Sequence, residues 1–369
     1  MIDPHLGAPL ALPLALPLAL TQFGYTSELA ASFTQVAEPG NTPVRVPAVH
    51  RNRVVVATVD GEHTATFDSS LRERDPLDRP TIGDWVAVHT AAPGAYGIRA
   101  LVPRRTAFIR GAASAKVAPQ VVAANVDSVL IVTAVPGDVN ERRLECYLAL
   151  AWEGGAIPLV VITRCDLVPD VSEFIGAAHA LAPGVDVVTV SATDTDGLEH
   201  LDSLIPPGAT LALLGASGVG KSTLVNRLAG EEVMRTADVD GDGRGRHTTT
   251  HRELRRLENG MLVIDIPGMR ELQLWSADAG LERAFEDIVE RSMTCRFADC
   301  GHGNEPGCAV TEAVSLGLLD DERLMSWRKL MREAARSRMQ GDAVAAGAER
   351  AKLRAIMRAA RMHIRSKRD

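Results

Sequence analysis

The sequence predicts a multi-domain α/β protein, and three patterns carry that expectation. Between Val49 and Arg110, short apolar runs (RVVVATVDG, EHTATFD, IGDWVAVHT, YGIRALV) are punctuated by Gly61, Gly83, Pro93, Gly94 and Gly97, as in a small all-β barrel. From about Ala123, strand-length apolar runs alternate with helix-length segments, which indicates βα units on a mostly parallel sheet. From Phe285 the strand-like runs cease, and a cysteine-rich knot leads into helical, increasingly basic sequence. At 369 residues the chain is long for one core. The shifts divide it into a leader (1–47), a five-stranded barrel (48–112), an α/β domain (115–284) and a C-terminal helical region (285–369).

The leader contains LGAPLALPLALPLALT, which imitates the apolar part of a signal peptide. It lacks a basic start, and Pro9, Pro13 and Pro17 interrupt any helix. A disordered leader, or a start codon placed too far upstream, is the expectation. No other apolar run is long enough to span a bilayer. The formal net charge of −7 predicts no nucleic-acid affinity for the molecule as a whole. Charge is nonetheless uneven: no Lys or Arg precedes Arg45, whereas Arg350 to Arg368 holds eight. A local basic face therefore remains available to RNA.

Within the α/β region, VDSVLIVTAV, IPLVVITR and VDVVTVSA read as strands separated by NERRLECYLALAWEGG and VSEFIGAAHALA as helices. ATLALLG then leads into Gly215-Ala216-Ser217-Gly218-Val219-Gly220-Lys221-Ser222, followed by Thr223 and a helical run. This is a complete GxxxxGK[ST] phosphate loop in its required strand–helix context. Its glycines let backbone N–H groups face phosphate oxygens at a helix N-terminus. Lys221 is expected on the outer phosphates and Ser222 on Mg²⁺. HRELRRLENGMLVIDIPG reads as two strands turning at Asn259-Gly260. The second strand ends in Asp265, a further Mg²⁺ group. Gly268 lets a backbone N–H approach the terminal phosphate. One of Thr248, Thr249 or Thr250, in the polar loop DGDGRGRHTTTHRE, is expected to complete the Mg²⁺ shell.

The base site is sought before the phosphate loop. In Thr163-Arg164-Cys165-Asp166, the Asp166 carboxylate lies at a strand's C-terminal end, where open α/β sheets bind ligands. Guanine offers N1–H and an N2 amino group to one carboxylate together. A site built on that pair rejects adenine by roughly 10⁴-fold, because the carboxylate would be left unpaired. Ser191-Ala192, ending the next strand, suits a backbone contact to guanine O6. The resulting order of base segment, SA segment, phosphate loop, threonine loop and DxPG is a rotation of the usual GTPase order. Such a rotation is tolerated when the old termini were adjacent on the surface. LDSLIPPGAT reads as the new joint. If TRCD is a chance match, the chain is instead a P-loop ATPase or kinase.

Five cysteines, three of them close to a histidine, argue for a metal in a reducing compartment over a disulfide framework. Cys295, Cys300, His302 and Cys308 form the Cys₃His set of a closed structural Zn²⁺ site, in which metal binding supplies folding free energy. Further on, Leu353, Ile356, Met357 and Ala360 form an apolar helical stripe with Arg354, Arg358, Arg361 and Arg365 largely off it. That pattern suits either the solvated face of a docked helix or a phosphate-contacting RNA surface.

Together, ANVDSVLIV, NERRLECYLALA, TRCDL, GASGVGKSTLVN, GRHTTTHREL, DIPGMRE and the cysteine knot resemble the circularly permuted, ribosome-small-subunit-dependent GTPases, the RsgA or YjeQ family, from about Val49 to the C-terminus. The resemblance implies an OB-fold for the barrel, a permuted P-loop GTPase domain and a C-terminal zinc domain. It also implies binding to the small ribosomal subunit and its rRNA late in assembly, with hydrolysis stimulated by the ribosome. A cytoplasmic monomer, bound to no membrane, is expected. Two features depart from the family: Arg164 stands where it usually has Lys, and the Leu-Pro leader has no counterpart. Met269 occupies the position where many GTPases orient water with Gln, so intrinsic turnover is expected to be slow and completed by a partner. His247 is the nearest alternative for positioning water, and Thr249, Thr250 and Gly268 complete the expected catalytic set. A non-catalytic RNA-binding scaffold that holds GTP as a ligand is the competing reading.

Overall fold

The computed structural model describes residues 18–50, 53–67, 71, 75–92, 94–110, 119–137, 140–191, 195–234, 253–265, 278–303 and 305–339. Five antiparallel and parallel strands come first: β1 (Thr42–His50), β2 (Arg53–Thr58), β3 (Gly61–Phe67), β4 (Trp85–Ala92) and β5 (Ala95–Leu101). They run in the order β1-β2-β3-β5-β4, and β4 pairs back onto β1, which closes the barrel. Val44, Val46, Val54, Val56, Val86, Val88 and Ile98 fill its interior. β-Branched side chains of this kind pack well on a pleated, enclosed surface. Pro47 sits where the register of β1 shifts between Arg45 and Ala48, so its missing N–H falls at an irregularity in the ladder.

The expected disordered leader does not extend through residue 47. Helix α1 (Leu18–Thr21) and helix α2 (Ser27–Val36) precede the barrel, and β1 begins at Thr42, ahead of the expected start at 48. Thr26 caps α2, its hydroxyl accepting the Leu29 N–H at 3.3 Å. Leu20, Tyr25 and Leu29 bury themselves against Trp85 and Val102, and this apolar contact orders the segment. Residues 1–17 lie outside the described part.

Arg45 joins this segment to everything around it. It is 1% exposed, and its guanidinium donates to the carbonyls of Phe23, Gly83 and Asn125 and to the Thr210 hydroxyl. Burial draws its pKa down to about 10. The four acceptors offset the loss of water around a buried cation.

The second body is built on β8 (Ser128–Ala134), β9 (Ile157–Thr163), β10 (Val187–Val190), β11 (Thr210–Leu214), β12 (Glu253–Arg256) and β13 (Leu262–Asp265). Their order is β10-β9-β8-β11-β13-β12, parallel except for β12. β8 and β11 are buried along their whole length, as parallel strands covered on both faces must be. Helix α3 (Glu141–Glu153) packs on one face of the sheet, while α5 (Asp196–Leu204) and α6 (Lys221–Ala229) pack on the other. Helix α4 (Ser172–Leu181) lies between β9 and β10 in the chain. The Asn259-Gly260 turn joins β12 to β13 as expected, with Gly260 at φ +87°.

The domain lines drawn from sequence cut through packed structure. β6 (Ala107–Arg110) pairs with β7 (Gln120–Ala124), so a boundary at 112–115 falls inside a hairpin. The ring of Phe108 lies where a Cβ on Gly154, at the end of α3, would come within 2.6 Å. Helices α7 (Asp278–Ala284) and α8 (Glu286–Ser292) flank the line at 284/285, where Ala284 and Phe285 are both buried in the core shared with α3. Helix α9 (Ala309–Ser315) and helix α10 (321–339) contribute Val310, Ala313, Leu324 and Leu330 to that same core. Barrel and sheet also meet: Ala48 of β1 pairs with Glu253 of β12, giving one eleven-stranded sheet.

Candidate functional site

β11 lies between β8 and β13 inside the parallel sheet, and the chain leaves it through the glycine loop into α6. Gly215 adopts φ +153°, and a Cβ there would come within 2.4 Å of the Val132 carbonyl oxygen, so only glycine fits. Gly218 and Gly220 have φ +82° and +92°, and Gly220 is the N-cap of α6. Lys221 Nζ donates to the carbonyls of Gly215 (3.0 Å) and Ala216, folding back over the loop. Ser222 and Thr223 occupy the first turn of α6, where free backbone N–H groups and the helix dipole favour an anion. Asp265 ends β13 one residue beyond the Ala212–Ile264 register pair, so its backbone lies at the same sheet edge as the loop.

The segment from Thr163 to Asp166 is brought onto this loop. Thr163 is buried, and its hydroxyl lies 2.7 Å from the Val219 carbonyl and 3.1 Å from that of Thr133. Arg164 adopts a left-handed conformation (φ 61°) and donates from its guanidinium to the Gly218 carbonyl. Cys165 turns inward, its thiol on the Ile162 carbonyl at 3.3 Å, and burial raises its pKa. Asp166 is exposed at the end of β9 and accepts a 2.9 Å hydrogen bond from the Ser191 hydroxyl at the end of β10. That donor fixes one oxygen of an exposed carboxylate. Ala192, His247, Thr249, Thr250 and Gly268 lie outside the described residues.

Two residues that the motifs did not single out support the same edge. Arg227, two turns along α6, donates to the Ser191 carbonyl at 2.5 Å. Asn226 binds the backbone of Met234 with both ends of its amide, each at 2.7 Å. This holds the chain just before the segment that carries the threonines.

The four cysteine and histidine positions also converge. Their ligand atoms all lie within 4.8 Å of one another. His302 Nδ1 is 3.6 Å from the sulfurs of both Cys295 and Cys308, which are 3.9 Å apart. Those separations fit a tetrahedral ion with metal–sulfur bonds near 2.3 Å and metal–nitrogen bonds near 2.0 Å. Burial opposes the Cys308 thiolate, but hydrogen bonds from Thr311, His302 and Cys300 outweigh it and take the thiol down to about 6. Helix α10 holds the knot: Trp327 packs on the His302 ring at 5.3 Å, and Arg328 donates to the His302 carbonyl. Glu305 accepts the N–H groups of Gly301 (3.0 Å) and Gly303 (2.6 Å), fixing the turn on either side of His302.

A glycine loop after an interior strand, the Thr163–Asp166 segment after a strand earlier in the chain, and a connection between β10 and β11 fit a circularly permuted P-loop GTPase. Comparison with known proteins supports this class. The model of the RsgA GTPase family matches residues 101–275. The "Small ribosomal subunit biogenesis GTPase RsgA" of Streptomyces coelicolor is 43% identical over 328 residues, covering 88% of this chain and 89% of the relative. The protein of the same name from Opitutus terrae is 42% identical over 344 residues, covering 90% and 94%. Among solved structures, YjeQ from Thermotoga maritima matches with TM-score 0.61 at 24% identity, over 80% of this chain and 99% of that one. YloQ, described as a circularly permuted GTPase, matches with TM-score 0.58 at 22% identity, over 80% and 95%. The chain belongs to the RsgA GTPase family, whose chemistry is the hydrolysis of GTP. Among the described residues, no helix is long and apolar enough to cross a membrane.

Proposed function

We propose that this GTPase binds the small ribosomal subunit and its rRNA late in maturation, and that ribosome-stimulated hydrolysis of GTP releases it. The observation that carries the nucleotide part is the Asp166–Ser191 hydrogen bond at the sheet edge beside the phosphate loop. It prepares a carboxylate for guanine N1–H and N2 while Thr163 and Arg164 hold that segment to the loop. Lys221 exchanges its loop carbonyls for phosphate oxygens, and the backbone N–H groups from Gly218 to Thr223 receive the rest. Ser222 and Asp265 are the groups for Mg²⁺, which when bound neutralises charge between the outer phosphates. Thr249, Thr250, Gly268 and His247 are assigned to the closing loop and the attacking water, with a partner completing the organisation that Met269 does not provide.

Zn²⁺ is the metal assigned to Cys295, Cys300, His302 and Cys308, since three thiolates and an imidazole suit it and a filled set makes it structural. The ribosomal part of the reading is supported by the names of the relatives. A cytoplasmic monomer is part of the same proposal.

The test is GTP turnover with and without purified small subunits, run alongside Asp166→Asn assayed with xanthosine triphosphate. Stimulation by subunits and a transfer of preference from GTP to the xanthosine nucleotide are expected. Turnover indifferent to subunits removes the ribosome-stimulated step from this reading. ATP displacing bound GTP removes the guanine assignment.

A further inference from the structure

We infer that Arg227 is a positioning residue for guanine recognition, acting on the base through Ser191 and Asp166. This rests on the guanine reading given above. The three residues come from three elements and form one chain of contacts. Arg227 lies in the last turn of α6, the helix that begins at the phosphate loop. Its Nη1 donates to the Ser191 carbonyl at 2.5 Å, across 36 positions in the sequence. The Ser191 hydroxyl in turn donates to Asp166 Oδ1 at 2.9 Å.

Ser191 follows β10, the edge strand of the parallel sheet, one residue beyond the Val190–Thr163 register pair. A charged guanidinium on its carbonyl holds the chain where it leaves the strand. Charge-assisted bonds are about twice as strong as neutral ones. Fixing the backbone at residue 191 fixes where its hydroxyl points, and hence how the Asp166 carboxylate is turned toward the ligand. A carboxylate that accepts two ligand donors together needs both oxygens aimed correctly, whereas one that accepts a single donor tolerates rotation. Arg227 therefore bears chiefly on the second contact, the guanine N2 amino group.

The probe is inosine diphosphate, which keeps N1–H and O6 but lacks the 2-amino group. Affinities of the full chain for GDP, IDP and ADP are to be measured for wild type, Arg227→Gln and Arg227→Lys. Each variant's melting temperature is recorded beside them. Loss of a charged hydrogen bond predicts GDP affinity in Arg227→Gln falling about tenfold while IDP affinity changes about twofold or less. The GDP-to-IDP preference thus shrinks, and Arg227→Lys, which keeps the charge, recovers most of it. Equal losses for GDP and IDP, with guanine still preferred to adenine, overturn the inference and leave Arg227 as a helix-end cation. Wild-type protein that binds ADP as tightly as GDP overturns the base reading and the inference with it. Arg227→Lys keeps the comparison open should the glutamine variant fail to fold.

Discussion

Glu305 illustrates what single residues do here beyond the motif positions. Its carboxylate is held below the ordinary range by its own backbone N–H, and by those of Gly301 and Gly303 against a smaller cost of desolvation. It thereby shapes the turn that carries Cys300 and His302. Removing a group that orients metal ligands typically costs 10–100-fold in metal affinity. Glu305→Ala is expected to lower Zn²⁺ affinity within that range, read by competition with a chromophoric chelator; an unchanged affinity removes Glu305 from this role. The clustering of Cys295, Cys300, His302 and Cys308 was legible, because Cys and His at such short spacings point to one shared site. Glu305, Arg227 and Asn226 were not legible. Each acts on backbone atoms, and a hydrogen bond to a carbonyl or N–H places no requirement on the partner's residue type. Arg45 escaped notice for the same reason: its acceptors are three carbonyls and one hydroxyl scattered from Phe23 to Thr210.

At the scale of elements, the alternating sheet and the phosphate-loop helix were plain from apolar runs and glycine spacing, and the turn at Asn259-Gly260 announced its hairpin. The first two elements were hidden. Leu-Pro repeats dominate the composition up to residue 17 and give the whole leader a disordered character, although Leu29, Ala30, Phe33 and Val36 follow a helical spacing behind a Thr26 cap. Strand β1 was obscured by Pro43 and Pro47, which it accommodates at its start and at its register shift. The buried face of α2 packs on the barrel through Trp85 and Val102. Leu29 is 1% exposed, and Leu29→Ala is expected to destabilise by about 2–5 kcal/mol. Urea unfolding followed by tryptophan fluorescence reads this directly, since Trp85 lies in the same cluster. A loss under about 0.5 kcal/mol, the range of surface substitutions, would mean that α2 contributes little.

For the molecule as a whole, the boundary near 285 was legible as a change of pattern but not as a shared core, because contact between distant segments leaves no local signal. The joint there is polar at its heart. Glu145 of α3 is 2% exposed and accepts from Ser326 and, at 3.0 Å, from Arg323; Arg323 also grips Asp287 through two bonds of 2.8 Å. Burial raises the Glu145 carboxyl above its ordinary 4.5, while Ser326 and Arg323 pull the other way. A carboxyl whose folded pKa is raised binds protons more tightly in the folded state. Its contribution to stability is therefore present below 4.5 and declines as pH rises through the raised value. Arg323→Met leaves Glu145 without its cation, and breaking such a pair costs about 3–5 kcal/mol when the remaining group is charged. The variant is thus expected to fall furthest behind wild type near neutral pH and to approach it as the pH drops towards 4.5. Unfolding at a series of pH values checks this, and a deficit independent of pH refutes it.

The seam at Ala48 and Glu253 carries a mechanical consequence. Strand β12 starts at the first described residue after the threonine-bearing segment of the sequence, and its neighbour on the outer side is a barrel strand. The barrel cannot tilt as a rigid lever without either breaking that pairing or moving the start of β12 with it. A displacement of the barrel is thereby passed to the parallel sheet through main chain alone.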